Sequence, residues 1–175
     1  MINLENLERL DSEKMYKIYD IWPEIAKKSY ENNIEQINFP KSSHFVFAGM
    51  GGSGSLGSVF SAILSKTNTH VSVVKGYHLP KTVNSESIVI ITSVSGNTIE
   101  SIAVLDNAIK LNAKIIVFSD GGKIKEICKK NNIQHRNVKK YHSPRASFTS
   151  FLYSMMYVLN PILPIKELDI LKSIE

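Results

Sequence analysis

Ser87-Ile88-Val89-Ile90-Ile91-Thr92, running straight into Ser93-Val94-Ser95-Gly96-Asn97-Thr98, is the stretch on which the fold turns. An apolar, β-branched run without polar alternation is buried on both faces, as a central strand of a parallel sheet must be. The loop after it is small and rich in hydroxyls, and residues 98–111 continue with helical spacing. The same grammar repeats outward. His44–Ala48 reads as a strand, 49–54 as a glycine loop, 56–64 as a helix and 71–74 as a second strand. Downstream, 114–118 reads as a strand, 124–130 as a helix, 133–138 as a short edge strand and 146–159 as an apolar helix. This alternation predicts an α/β fold: a three-layer α-β-α, doubly wound, flavodoxin-like parallel sheet of about five strands.

Before the first strand, the opening forty residues read as helical. Asp11 or Ser12 can cap a segment whose Met15, Ile18, Tyr19, Trp22 and Ile25 fall at helical spacing. Pro23 either kinks that segment or starts a second helix. Pro161 and Pro164 interrupt the pattern at the other end, so residues 1–160 are expected to be one domain and 161–175 a terminal helix or linker. The start of the chain lacks the cationic opening of a signal peptide, and no apolar run approaches the roughly 20 residues a bilayer requires. One cysteine, Cys128, leaves no partner for an internal disulfide. A cytoplasmic location without membrane contact is the default.

Net charge is +5, and it is uneven. Between Lys123 and Arg145 eight Lys/Arg face one acid, Glu126. Such a stretch can attract nucleic acid or steer a phosphorylated ligand. It lacks interleaved aromatics on which bases could stack, so a solvated helix face is expected and nucleic acid is not.

Five of the nine glycines fall between Gly49 and Gly57, after a strand and at the mouth of a helix. Backbone without Cβ can approach an anion closely, and a helix start offers free N–H groups and a positive dipole end. Gly51, Gly52 and Ser53 are therefore candidate phosphate ligands, although a tight turn that only packs the helix would use the same glycines. The spacing also fits a dinucleotide fingerprint, which expects an acid about 20 residues on to hold a ribose. There is none from Thr69 to Leu79, though Lys75 could suit a 2′-phosphate. The second loop favours a monophosphate instead. Ser93, Ser95 and Thr98 can converge on one tetrahedral anion, unless they merely cap the helix.

These paired loops resemble the SIS (sugar isomerase) domain. Tyr77-His78-Leu79-Pro80, the stretch 95–100 and Pro144-Arg145-Ala146 further resemble the N-terminal half of bifunctional phosphoglucose/phosphomannose isomerases of archaeal type. That resemblance covers about residues 49–159. It implies a sugar-phosphate isomerase unit converting hexose 6-phosphates such as glucose or mannose 6-phosphate to fructose 6-phosphate. Gly52, Ser53, Ser93, Ser95 and Thr98 would hold the phosphate, and Arg145 would stabilise the enediolate. No cofactor or metal is implied. Gly76 departs from the pattern, which expects an acid before the tyrosine.

In the family the glutamate base and ring-opening histidine lie in a second SIS domain, so neither has an assigned counterpart here. Within this chain, His142 is the candidate acid–base group, while Glu100 suits a helix-start role and His78 lies in a loop. The partner is expected to be a second copy in a homodimer or a second SIS domain. The apolar helix 148–159 would supply surface for association, unless it is a buried core helix. A non-catalytic sugar-phosphate-binding or regulatory module is the alternative.

Overall fold

The computed structural model describes residues 4–40 and 42–174. The readings above that touch residues 1–3, Lys41 and Glu175 lie outside these. The elements run α1 (Leu4–Leu10), α2 (Tyr16–Asp20), α3 (Trp22–Tyr30), β1 (His44–Ala48), α4 (Gly52–Leu64) and β2 (His70–Val74). They continue with β3 (Ile88–Thr92), α5 (Ile99–Lys110), β4 (Lys114–Ser119), α6 (Gly122–Lys130) and β5 (Gln134–Asn137). Helix α7 (Phe148–Leu159), a 3-10 turn (Asn160–Ile162) and α8 (Glu167–Lys172) complete the described chain.

All five strands are parallel, in the order β2-β1-β3-β4-β5. Strand alternation divides the core in two. Phe45, Phe47, Ile88, Ile90, Ile116 and Phe118 point to the face covered by α4 and α7. Val46, Ala48, Val89, Ile91, Ile115 and Val117 point to the face covered by α5 and α6. The three-layer expectation is met, and the unbroken apolar run of β3 is explained by its burial on both faces.

The N-terminal reading holds for Pro23, which lies in the first turn of a separate helix, and for Asp11 as a cap, and needs correction elsewhere. No helix runs through residues 12–25. Lys14 adopts a left-handed φ of 57°, which stops a helix there, and the Asp11 carboxylate accepts from the Tyr16 amide at 2.8 Å. A second break at Ile21 precedes α3, whose first turn carries Pro23.

Helix α7 is a core helix. Phe151, Met155, Val158 and Leu159 face the sheet, while its other side packs on α3 through Ala26, Tyr30 and Tyr153. The apolar excess noted in the sequence is thus absorbed within the chain. The basic stretch is also divided: the lysines of α6 are exposed, but Arg136 is buried on β5. Its Nε donates to the Glu35 carbonyl at 2.7 Å, tying the edge strand to the segment before β1.

Candidate functional site

Strand order reverses between β1 and β3, since the chain leaves β1 outward to β2 and returns to β3 on the other side. Loops after the two strands part at such a switch point and leave a crevice at the strands' carboxyl ends. The two loops singled out in the sequence are these loops.

The first follows β1. The Gly49 amide donates to the Val74 carbonyl at 3.1 Å, holding the loop to the end of β2. Gly51 caps α4 and Gly52 begins it; both are exposed, and Ser53 is half-buried. Gly54 is needed for close packing. A Cβ there would stand 2.7 Å from the Gly49 carbonyl oxygen and 3.1 Å from the Lys75 stem. The helix start and its loop therefore fold tightly on themselves: the Ser53 amide donates to the Met50 carbonyl at 3.0 Å, and the amides of Gly51 and Gly52 lie at the open edge.

The second follows β3. Ser93 is 2% exposed and its Oγ donates to Thr98 Oγ1 at 3.1 Å. Ser95 is exposed, and its Oγ accepts the Asn97 amide at 3.2 Å while its own proton stays available. Asn97 Oδ1 in turn accepts the Lys123 amide at 3.0 Å, so the loop is braced on the start of α6. Gly96, at φ 67°, lies so close to Gly121 that a Cβ would collide with its carbonyl. Glu100 lies in the first turn of α5, as expected from the dipole. Ser101, one residue on, buries an Oγ with no hydrogen-bond partner among the described residues.

Arg145 is exposed on the loop before α7. That loop is self-supporting: Ser147 Oγ donates to the carbonyl of Ser143 at 2.7 Å, and the Tyr141 amide donates to Ser147 Oγ at 2.9 Å. Arg145, Ser143 and Pro144 line a pocket of about 490 Å³ together with Gly52 of the first loop and Met15. The structure thus brings Arg145 to the glycine loop. His142, at a left-handed φ of 42°, directs Nε2 to the Glu13 carboxylate at 3.2 Å. His78 lies elsewhere, in a pocket of about 470 Å³ with Lys81, Asn107 and Lys110. Met15 and Glu13 had no signal in the sequence beyond helical spacing, because their positions follow from the unforeseen turn at Lys14.

The remaining histidines sit apart. His44 and His70 pair in register at the amino-terminal ends of β1 and β2, away from the loops, with ring centroids 4.9 Å apart. Burial, with a smaller contribution from His70, holds His44 below the usual histidine value. Burial and then Lys125 and Arg136 lower His135, whose Nε2 lies 2.8 Å from Ser119 Oγ. Burial pushes the Cys128 thiol up to about 11, so it stays protonated and inert at neutral pH. Among the described residues no group of three or more His, Cys, Asp or Glu could hold a metal, and no helix is long and apolar enough to cross a membrane.

Residues 39–160 match the SIS domain family model. A bifunctional phosphoglucose/phosphomannose isomerase of Caldicellulosiruptor bescii is 33% identical over 138 residues, covering 77% of this chain and 38% of that protein. The chain therefore spans well under half the length of this curated relative. Among solved structures, glucosamine-6-phosphate deaminase from Thermotoga maritima superposes with a TM-score of 0.68 at 18% identity, over 92% of this chain and 52% of its own. Tagatose-6-phosphate ketose/aldose isomerase from Escherichia coli superposes at 0.60 with 15% identity, over 84% of this chain and 47% of its own.

Proposed function

The chain belongs to the SIS domain family, and from that membership we propose that it is the phosphate-binding half of a hexose 6-phosphate isomerase. The reading rests on one observation above the others: Arg145 and the glycine loop of α4 share a pocket beside the switch point. The phosphate of glucose, mannose or fructose 6-phosphate would lie against the amides of Gly51 and Gly52 and the hydroxyls of Ser53, Ser95 and Thr98, with Ser93 supporting the site through its bond to Thr98. Helix starts favour such an anion. The sugar then extends toward Arg145.

Isomerisation removes a proton from C2 of the aldose and returns one to C1, building negative charge on two adjacent oxygens on the way. A fixed guanidinium suits that enediolate. His142 is the chain's own candidate for the acid–base group of ring opening. The carboxylate base would come from a second SIS unit, as another copy or a further domain. The domain itself spans residues 1–160, with 161–175 as its terminal helix or linker, and it would work in the cytoplasm on soluble metabolites.

Interconversion of fructose and glucose 6-phosphate can be followed by NMR on the protein, alone and in its longest natural form. Arg145→Ala should lower turnover by about 10²–10³-fold. Ser53→Ala or Ser95→Ala should each weaken sugar-phosphate affinity by about 1–2 kcal/mol. Unchanged affinity in both serine variants would sink the site. One observation favours a non-catalytic binding module: His142 is already paired with Glu13. Tight binding without turnover in every form would select it.

A further inference from the structure

We infer that Met15 is the specificity wall of this pocket, packing on the sugar carbons of the bound ligand; the inference rests on the sugar-phosphate reading above. Three segments line the cavity: Gly52 from the phosphate loop, Ser143-Pro144-Arg145, and Met15 from the N-terminal region. With phosphate at Gly52 and the carbonyl end at Arg145, the carbon chain must pass between them. Met15 is the one lining side chain that is apolar, long and flexible. A thioether offers polarisable surface to C–H groups and no donor to a hydroxyl. It therefore selects by shape.

The placement is built. Lys14 turns the chain through a left-handed φ of 57°, and the Asp11 carboxylate caps the Tyr16 amide at 2.8 Å. Ser143 Oγ approaches Met15 Sδ at 3.6 Å, and Glu13 pairs with His142 at 3.2 Å on the same loop as Arg145. Trp22 Nε1 donates to the Ala146 carbonyl at 3.0 Å just beyond. Contacts from Glu13, Met15 and Trp22 thus fix this segment to the arginine loop. The family match begins at residue 39, so this wall belongs to a part of the chain that the match does not cover. Because Met15 stands beside Arg145, it limits bulk on the carbons nearest the carbonyl. Sugars with a large substituent at C2, such as N-acetylhexosamine 6-phosphates, are excluded by it. Glu13 is a positioning residue that acts through His142.

Calorimetric affinities for fructose 6-phosphate, N-acetylglucosamine 6-phosphate and inorganic phosphate test this on the full chain. Met15→Ala should narrow the preference for fructose 6-phosphate over the N-acetyl sugar by about fivefold or more, the scale of one buried methylene. Inorganic phosphate should change less than twofold. Met15→Leu should keep the wild-type preference, and Glu13→Gln should shift it in the direction of Met15→Ala while Glu13→Asp restores it. An unchanged preference in a folded Met15→Ala protein, or equal weakening of all three ligands, overturns the inference and leaves the phosphate site intact. A wild-type protein that binds neither sugar phosphate is a different result: the site reading fails, and the wall with it.

Discussion

Gly96 is the residue on which the second loop depends. Its φ of 67° suits a residue without Cβ, and the Gly121 carbonyl fills the space a methyl group would need. Gly96→Ala should cost about 1–3 kcal/mol of stability by overpacking and backbone strain. It should also weaken phosphate binding, because the loop carrying Ser95 would be pushed off α6. Urea unfolding and calorimetry on the same sample check both. The sequence displayed the small residues and hydroxyls of this loop, and hence its likeness to an anion cradle. It did not display which hydroxyl is committed. Ser93 is buried and bonded to Thr98, whereas Ser95 is exposed; the difference comes from where the backbone turns, and the residue types are the same.

Among the elements, α7 shows what tertiary context adds. Its composition, rich in Phe, Met and Tyr, offers more apolar surface than one sheet face requires, and from sequence that surplus fitted a partner or a buried core helix equally well. The structure turns it inward to α3. Trp22 at the start of α3 anchors this packing, with its indole N–H on the Ala146 carbonyl at 3.0 Å. Trp22→Phe should keep the ring packing, lose that hydrogen bond, and lower stability by about 1 kcal/mol. The urea midpoint is the measurement. Strands β1, β3 and β4 and helices α5 and α6 were legible to within two residues, because their periodicity is strong and Gly or Asn punctuates their ends. The broken start of the chain was not. Met15, Ile18, Tyr19, Trp22 and Ile25 keep helical spacing across two breaks, and spacing alone cannot register a left-handed residue such as Lys14. The link from Glu13 to His142 was hidden for the same reason.

At the scale of the molecule, the proposed anion site and the half-buried histidines occupy opposite ends or edges of one sheet. His44 and His135 both prefer the neutral ring when folded, since burial disfavours their charge. The unfolded chain then binds more protons near their usual value of 6.5, so stability rises with pH. Their contribution is fully present above that value and is lost as pH falls through the lowered folded values. The urea midpoint should therefore drop between pH 7.5 and 5.5, and His44→Gln should flatten the drop; an identical drop in that variant would exonerate His44. The contact of α3 with α7 has a further consequence, in time instead of space. Residues 22–30 leave the ribosome long before residues 148–159, which carry the helix that α3 packs on most extensively. Such distant pairings come late in folding. The strands and both loops are made before α7, which must then close one face of the sheet and receive α3. The helix made late thus serves twice, as a lid on the sheet and as the dock for an early helix.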